Sequence, residues 1–501
     1  MVNRPEWNTP IINHLLQFSL EEPTSFHVPG HGNGMVYRKL HSLNNQSTQM
    51  QQQLDVLSQI ARLDVTELSH TDDLHDPQGI INEAQQLAAK LYGSEHCFFL
   101  VGGSTAGNIA LILSLCEAND IIIVQRNVHK SIINGCKLAG AKVVFVQPEI
   151  EPHTQLSVIP SLSTIETALK QYPEAKAVFL TNPNYYGLSA ELTPYTELIH
   201  RYHIPLIVDE AHGAHYGIAP NSPQSALAAG ADGVVQSAHK TLPALTMGAM
   251  LHIQGTYLNK NRLQQQLAIV QSSSPSYLIM STLDLARATL QSYGKQWFGQ
   301  TYALREELAC WLKKQSRFAI AELPVASSYR QDPYRILLYD ATDGLSGYEL
   351  QQKLEDCGVW IEMATPRYAV LIMHMAMTEV ELQNLRDALE SLSKEPKKTV
   401  KQASSSANEL QSSILDGQLA VSLPVAFNRT SPSSIEVVSL YYAIGKRCAE
   451  LVVPYPPGIP LLYEGEEITA EHTNEIQRYI KAGAKFQGSN LLAGLKIKVF
   501  V

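Results

Sequence analysis

Lys240 is the residue of this chain whose type and surroundings best suit covalent chemistry. It closely follows the apolar run Val234–Gln236, and Ser237 and His239 lie between the run and the lysine. A lysine is costly to bury without a partner, and desolvation that lowers its pKa lets it form a Schiff base with a carbonyl group. Taken alone, the segment fits a solvated loop lysine better, so its interpretation depends on the rest of the sequence.

A carboxylate at the end of a neighbouring apolar run provides that context. Asp209 follows Leu206–Val208 and precedes Lys240 by 31 residues. Pyridoxal phosphate enzymes need this pair, because the lysine holds the aldehyde and the carboxylate keeps the pyridine nitrogen protonated. His212 and His215 could instead be part of a metal site, but no matching cluster of ligands occurs elsewhere in the sequence. The sequence therefore favours a pyridoxal phosphate site without a metal.

Two further segments could contact the same cofactor. A Gly-Gly-Ser-Thr turn precedes a predicted helix, and its backbone N–H groups with the hydroxyls of Ser104 and Thr105 could bind a phosphate. Such turns also cap many helices without binding a ligand. His129 follows the run Ile121–Val124, where an imidazole could stack on a flat ring, although a histidine in this position is usually structural.

The elements that must position these residues alternate along the chain. The predicted buried strands are Phe98–Val101, Ile121–Val124, Val143–Val146, Ala177–Thr181, Leu206–Val208 and Val234–Gln236. The helices between them are Ala106–Leu115, Lys130–Ala139, Thr164–Gln171 and Pro194–Tyr202. Apolar strands separated by helices indicate a parallel sheet in an α/β domain. Such sheets bind ligands at the carboxyl ends of their strands, which is where the polar residues above are expected.

A different pattern follows downstream and predicts a smaller α+β domain. Helices are expected at Gly347–Cys357 and Thr378–Leu392, and strands at Val359–Ile361 and Tyr368–Met373. The stretch Ser391–Ser413 is polar and rich in lysine and serine, as is typical of a linker. The predicted units are an N-terminal segment (1–60), a large cofactor-binding domain (61–300), a small α+β domain (301–395), a linker (396–413) and a C-terminal domain (414–501).

Composition restricts the partners of the chain. Its 501 residues are 45% hydrophobic and carry a formal charge of −9, which does not suit a general nucleic-acid or anionic-membrane binder. No window reaches about 18 uninterrupted apolar residues, and polar residues interrupt the candidate signal-peptide run Ile11–Leu20. The 6 cysteines form no C-x-x-C pair, which argues against structural zinc or a disulfide framework. We expect a cytoplasmic protein with a small-molecule partner.

The order of these motifs resembles that of the fold type I pyridoxal phosphate enzymes, and within them the ornithine/lysine/arginine decarboxylase family. The further segments that carry the resemblance are Phe26–Gly34, Asp64–Glu67, Asp72–Pro77, Thr181–Gly187, Ser272–Tyr277 and Pro454–Glu466. The resemblance covers nearly the whole chain. It implies an aspartate aminotransferase-like large domain with a mainly parallel sheet, smaller α+β domains on its C-terminal side, and pyridoxal 5'-phosphate as the cofactor.

The resemblance also implies a role for each matching residue. Lys240 would bind the cofactor covalently, Asp209 would pair with the pyridine nitrogen, and His129 would stack on the ring. The other cofactor contacts would be His212 beside the cofactor and, at its phosphate, Ser104, Thr105, Ser237 and His239. The run Ser272–Ser274 would reach the phosphate of a neighbouring subunit, so that a homodimer would be the smallest working unit.

The substrate implied by the resemblance is a basic amino acid. The Pro-Gly-His motif begins by residue 29, and Gly32 stands where relatives often carry lysine. From the position of the motif we expect the N-terminal wing domain of large members to be missing. This short form resembles the Gram-positive type often assigned to arginine decarboxylation, so we expect arginine to become agmatine in polyamine biosynthesis. Lysine and ornithine stay open, and Glu464 and Glu466 are candidates for binding the cationic tail.

Three other functions remain open at this point. A fold type I aminotransferase would use the same lysine and aspartate, and it would clamp the α-carboxylate with an arginine of the small domain, for which Arg367 is the candidate. A different pyridoxal phosphate lyase could act on another amino acid. A non-enzymatic relative could keep the fold as a binding or regulatory module. Retention of Lys240, Asp209 and His129 together argues against that third alternative.

Overall fold

The computed structural model describes residues 7–43, 47–315, 317–394, 420–427, 434–455, 459–481, 485–487 and 490–501. The predicted linker (396–413) and a short part of the motif Pro454–Glu466 lie outside these ranges. Within them, no helix is both long enough and apolar enough to cross a membrane.

The described helices and strands are numbered in chain order. The helices are α1 (Pro10–Leu20), α2 (Met35–His41), α3 (Thr48–Ala61), α4 (Ile80–Tyr92), α5 (Gly103–Leu115), α6 (Lys130–Ala139), α7 (Leu162–Gln171), α8 (Thr193–His200), α9 (Lys260–Val270), α10 (Tyr277–Lys314), α11 (Gly347–Asp356), α12 (Glu379–Ser393) and α13 (Ala470–Lys481). The strands are β1 (His96–Leu100), β2 (Ile121–Gln125), β3 (Lys142–Val146), β4 (Val178–Thr181), β5 (Leu188–Ala190), β6 (Leu206–Asp209), β7 (Gly233–Gln236), β8 (Ala249–Ile253), β9 (Phe318–Ile320), β10 (Tyr329–Gln331), β11 (Arg335–Asp340), β12 (Met363–Ala364), β13 (Ala369–Ile372), β14 (Val425–Ala426), β15 (Ile435–Ser439), β16 (Val453–Tyr455), β17 (Lys485–Gln487) and β18 (Lys496–Phe500).

An eight-stranded sheet in the order β1-β8-β7-β6-β4-β2-β3-β14 forms the centre of the large domain. Neighbours from β7 to β3 pair in parallel, whereas β8 runs antiparallel to both of its neighbours and β14 runs antiparallel to β3. The α/β class with a mainly parallel sheet is therefore confirmed.

The central strands are apolar along their length because helices cover both faces of the sheet. On β2, Ile122 and Val124 pack into the core that contains Leu111 of α5, whereas Ile123 packs on the opposite side with Ile165 of α7. Successive side chains of a strand point to opposite faces. This arrangement leaves the strand ends as the place where polar side chains can gather.

The long helix α10 joins the large domain to a smaller α+β unit. Its first half contributes Met280 and Leu283 to the core of the large domain, and its last turns contribute Leu308 and Leu312 to the core of the small unit. That unit contains the four-stranded sheet β12-β13-β11-β9. The predicted domain limit at 300/301 falls inside this helix, and the domain limits stay a prediction.

The predicted strand Val359–Ile361 is wrong. After α11 the chain turns at Gly358, whose φ is +80°, and Trp360 is 80% exposed. Pairing begins only at β12, where Met363 lies opposite Val370. A run of three apolar residues is too short to predict a strand, because so short a run does not show whether its side chains are buried or exposed.

Candidate active site

A cavity of about 970 Å³ opens at the carboxyl ends of the parallel strands. All eight residues predicted to contact a cofactor line it: Ser104, Thr105, His129, Asp209, His212, Ser237, His239 and Lys240. Open parallel sheets bind ligands at this edge because the loops after successive strands converge there. The structure thus brings the predicted site together, and the role of each residue stays a prediction.

Lys240 ends a single 3-10 turn, Ala238–Lys240, that follows β7. Its Nζ lies 3.0 Å from Nε2 of His212. Burial lowers the pKa of Lys240, the charge of Asp209 opposes this effect, and the guanidinium of Arg335 lowers the pKa further. A lowered pKa leaves more of the amine neutral near pH 7, and the neutral amine is the nucleophile.

Asp209 is the last residue of β6 and is buried. Its carboxylate accepts hydrogen bonds from Nδ2 of Asn108 at 2.9 Å and from the backbone N–H of Ala211 at 3.1 Å. Sequence reasoning missed Asn108, which is buried on α5. Its spacing could have identified it, because Asn108 lies one helical turn after Ser104 and so shares a helix face with this predicted cofactor contact.

His129 caps the N-terminus of α6, and its ring is exposed to the cavity. Nδ1 accepts the backbone N–H of Ser131 at 3.3 Å and lies 2.8 Å from the Ser131 hydroxyl. Because Nδ1 is an acceptor, the proton of the neutral imidazole is on Nε2. Burial lowers the pKa of His129, the charge of Asp209 raises it, and the charge of Lys240 lowers it. The ring therefore favours the neutral form.

The N-terminus of α5 provides a donor set that fits a phosphate. Gly102 offers no side-chain cap there, so the first N–H groups of the helix can bind an anion. Ser237 donates its hydroxyl hydrogen to Oγ of Ser104 at 2.9 Å, which joins the end of β7 to this turn. Thr181 also lines the cavity, and its buried Oγ1 has no hydrogen-bond partner among the described residues. With Lys240 and Asp209, these groups could hold pyridoxal phosphate.

Glu464 and Glu466 do not reach the cavity, contrary to the expectation that they bind the cationic tail of the substrate. Glu466 is buried and pairs with Arg126 at 2.7 Å. Glu464 pairs with Lys137 at 2.6 Å. Neither residue lines the cavity. Both carboxylates are satisfied by cations of the large domain, so they link the C-terminal part of the chain to that domain.

Two other predicted groups also lie away from the cavity of this chain. Arg367 is exposed, and its guanidinium lies 5.2 Å from the ring centre of Tyr339 and 5.5 Å from that of Tyr368. Ser272–Ser274 is exposed, and the carbonyl of Ser272 lies 2.9 Å from Nε2 of His75. The expected contact of this serine run with a neighbouring subunit stays a prediction.

The rim of the cavity contains residues that sequence reasoning did not assign. Tyr185, Tyr348 and Phe486 line it. The hydroxyl of Tyr185 donates to Oε1 of Glu362 at 2.9 Å, and burial together with the charge of Glu362 raises the pKa of Tyr185 to about 12. Tyr185 lies within the segment Thr181–Gly187 that carried the family resemblance. Glu362 could not be recognised as a site residue from sequence, because it follows the segment that was wrongly predicted as a strand.

Two family models match this chain. The family model described as Orn/Lys/Arg decarboxylase, major domain, matches residues 9–321, and the one described as Orn/Lys/Arg decarboxylase, C-terminal domain, matches residues 407–496. The chain is 38% identical to the uncharacterized protein YaaO of Bacillus subtilis over 99% of both chains. It is 31% identical to an arginine decarboxylase of Bacillus anthracis, covering 97% of this chain and 96% of that protein.

A solved structure is similar in fold. The lysine decarboxylase LdcF of Francisella novicida superposes with a TM-score of 0.79 at 19% sequence identity. The match covers 99% of this chain and 82% of that chain. At this identity the likeness concerns the fold alone.

Proposed function

Because the chain belongs to the Orn/Lys/Arg decarboxylase family, we propose that it releases the α-carboxyl group of a basic amino acid as carbon dioxide, with arginine as the main substrate. Its cofactor would be pyridoxal phosphate. The observation that carries the proposal is that Lys240 and Asp209 lie at one cavity together with the N-terminus of α5. An amine, a buried carboxylate and an anion-binding helix start are the three groups that this cofactor requires.

Each of these groups has a definable task. Pyridoxal phosphate, when bound, supplies an aldehyde that bonds to amines and a ring that takes up the electron pair released as carbon dioxide leaves. Lys240 would hold the aldehyde carbon, and its lowered pKa would keep the amine ready to bond again after each turnover. Asp209, held by Asn108, would keep a proton on the ring nitrogen. Either Lys240 or His129 would deliver the proton that replaces the carboxylate on Cα.

The phosphate would be held by the groups that surround the start of α5. Ser104 and Thr105 contribute hydroxyls and backbone N–H groups there, and Ser237 is already hydrogen-bonded to Ser104. His239 also lines the cavity. Its Nδ1 donates to the carbonyl of Gly248 at 3.1 Å, which orients the ring.

The rim supports a substrate with a cationic tail. Glu362 is an exposed carboxylate whose charge raises the pKa of Lys240, so its field extends into the site. The hydroxyl of Tyr185 holds Oε1 of Glu362 in place. Aromatic side chains of Tyr348 and Phe486 line the same cavity. A planar guanidinium can bond to a carboxylate through two N–H groups and stack on aromatic faces, which a compact ammonium does less well, so we favour arginine over lysine or ornithine.

The finer expectations belong to the same proposal. The product would be agmatine, and the reaction would serve polyamine biosynthesis. We expect the protein to act in the cytoplasm as a homodimer in which Ser272–Ser274 approaches the site of the partner.

The proposal is tested by product analysis with the full chain and added pyridoxal phosphate. Arginine, lysine and ornithine, each labelled in the carboxyl group, are supplied separately, and labelled carbon dioxide and the amines agmatine, cadaverine and putrescine are quantified. Keto acids are measured in the same samples, because an aminotransferase would form them instead. Formation of keto acid without carbon dioxide would overturn the proposal.

A second measurement tests the position of the cofactor. Borohydride treatment of the loaded enzyme should attach the cofactor irreversibly to the peptide that contains Lys240, as located by mass spectrometry. The variant Lys240→Arg should show no attachment at that position. Attachment to a different side chain of the wild-type chain would refute the assignment of Lys240.

A further inference from the structure

A buried arginine of the small unit reaches the reactive lysine through one histidine. Arg335 begins β11 and is 1% exposed. Its guanidinium donates to Nδ1 of His212 at 2.8 Å. Nε2 of the same ring lies 3.0 Å from Nζ of Lys240. The three side chains therefore form a continuous line from the small-unit sheet to the cavity.

We propose that Arg335 is a positioning residue that fixes the tautomer of His212 and thereby holds the free amine of Lys240 in its neutral form. A guanidinium has only donors, so Nδ1 of His212 must accept and the single proton of the neutral ring is on Nε2. That proton points to Lys240. An ammonium group has no lone pair and cannot accept it, whereas a neutral amine can. The inference rests on the proposed function, in which Lys240 must bond to a carbonyl carbon.

The surroundings of Arg335 hold its side chain in this position. One guanidinium nitrogen donates to the carbonyl of Tyr185 at 3.4 Å, and Nε lies 4.0 Å from the carboxylate of Asp332. Gly187 packs closely against the side chain of Arg335. A Cβ added at Gly187 would lie only 3.0 Å from Cβ and Cδ of Arg335. The φ of Gly187 is +83°, which also favours glycine. This close packing leaves the guanidinium little freedom to turn away from His212.

The surroundings of His212 also favour the neutral form of its ring. Burial lowers the pKa of His212 well below its ordinary value, and so do the neighbouring basic side chains, first Arg335 and then Lys240, His129 and His239. Tyr185 covers the ring face at a centroid distance of 4.4 Å. The acids nearby act on other side chains: Asp209 on Lys240 and His129, and Glu362 on Lys240, whereas Asp332 lies beside Arg335. His212 is thus kept neutral, and its tautomer depends on Arg335.

Removal of the guanidinium has a definite consequence. Without a donor at Nδ1, the proton of His212 can move there and leave Nε2 as an acceptor. Nε2 would then accept a hydrogen bond from a protonated Lys240, which stabilises the ammonium form. The loss of the Arg335 charge changes the pKa of Lys240 in the same upward direction. The expected result is a lysine that stays protonated to a higher pH.

The first measurement is made on the wild-type chain, and a variant is used only to assign the signal. ¹⁵N NMR of the cofactor-free full chain with labelled histidine reports which nitrogen of His212 carries the proton, and the variant His212→Gln identifies the signal. We expect the Nε2-protonated form from pH 6 to pH 9. A proton on Nδ1 in the wild-type chain would overturn the proposal even if every Arg335 variant failed to fold.

The second measurement follows Lys240 itself. The pH dependence of acetylation of Lys240, read by mass spectrometry in the cofactor-free chain, gives the midpoint at which the amine loses its proton. Arg335→Met should raise this midpoint by about one pH unit, a tenfold change in the neutral fraction at pH 7, and should place the proton of His212 on Nδ1. Arg335→Lys should keep both properties near wild type, because lysine also only donates.

A matched control separates this effect from a general loss of stability. Arg317 is a buried arginine of the same unit that pairs with Asp340, and it does not line the cavity. Arg317→Met should leave the His212 tautomer and the Lys240 midpoint unchanged. If Arg335→Met leaves both unchanged as well, the proposal fails. Failure of the proposed decarboxylation would instead show in the carbon dioxide assay while the tautomer result stood, so the two failures are distinguishable.

Discussion

Asn108 donates one amide hydrogen to Oδ2 of Asp209 at 2.9 Å, within the wall between α5 and the end of β6. The same Nδ2 donates to the hydroxyl of Ser131 at 3.0 Å. That hydroxyl lies 2.8 Å from Nδ1 of His129. One buried amide therefore connects the carboxylate on one side of the cavity with the imidazole on another. We therefore expect Asn108 to help orient both groups.

Asp209→Asn removes the negative charge while it keeps the size of the side chain and an oxygen that accepts from Asn108. We expect kcat to fall by about 100-fold or more, because a preorganised charge aimed at the reacting group is lost. The fold should be retained, as checked by circular dichroism and thermal unfolding. Steady-state decarboxylation assays measure the effect, and an unchanged kcat would remove Asp209 from the mechanism.

Glu362→Gln removes the exposed carboxylate that accepts from Tyr185 but leaves a group that can still bond to Tyr185. We expect KM for arginine to rise by about five-fold with a smaller change in kcat, since an exposed ion pair contributes little. Asp356→Asn is the control, because Asp356 is exposed on α11 and does not line the cavity. Equal KM values for wild type and Glu362→Gln would show that the cationic tail is recognised elsewhere.

The parallel part of the fold could be predicted from sequence because burial and local pattern agree there. The helix Lys130–Ala139 has the predicted limits, and the predicted strand Val143–Val146 differs from β3 by one residue. The antiparallel strand β8 could not be recognised in this way. Its pairing partners are β1 and β7, and the choice of neighbour depends on the tertiary arrangement rather than on the local pattern.

The sequence allowed prediction only of those site residues whose reactive type and position after a predicted strand could both be recognised. Lys240 and Asp209 were recognisable because reactive residue types followed buried strands. Arg335 was not recognisable, because an arginine at the start of a strand normally indicates a solvated end. Its role depends on a contact with His212, which is 123 residues away in the chain. The pairing of Glu466 could not be predicted either, since its partner Arg126 is 340 residues away.

Glu466→Gln should reduce stability rather than substrate binding. Glu466 and Arg126 are both nearly inaccessible, and the same guanidinium donates to the carbonyls of Pro460 and Leu461. Removal of one partner of such a pair costs about 3 to 5 kcal/mol of unfolding free energy, because the remaining charge stays buried. Urea unfolding measures this loss, and KM for arginine should stay unchanged.

Glu464→Gln is the matched control for that substitution. Its pair with Lys137 is about 30% exposed on both sides, so water screens the charges and the loss should be at most about 1 kcal/mol. A large increase in KM in either variant would restore these residues to the substrate site.

Glu210 adds a pH dependence to the stability of the fold. It is fully buried next to Asp209, and its carboxyl group receives the backbone N–H of Ala226 and the side-chain amide of Gln236, each at 2.7 Å. Burial nevertheless raises its pKa from 4.5 to about 8, against the effect of these hydrogen bonds. Between these two values the folded chain keeps the proton that the unfolded chain releases. The contribution of Glu210 to stability is therefore complete below about pH 4.5 and is lost progressively up to about pH 8.

Glu210→Gln should remove this part of the pH dependence, because a glutamine imitates the protonated acid at every pH. Oε1 of Gln236 has no partner among the described residues, so that its amide can turn and accept a hydrogen from the new side chain. Urea midpoints of the cofactor-free chains at pH 5.5 and pH 8 measure the effect, since other titrating groups are common to both proteins and cancel. The variant should gain stability relative to wild type between these two pH values, by an amount on the order of a few kcal/mol. A constant difference between the two proteins would mean that Glu210 is already ionised in the folded state at pH 5.5, and that its two hydrogen bonds outweigh its burial.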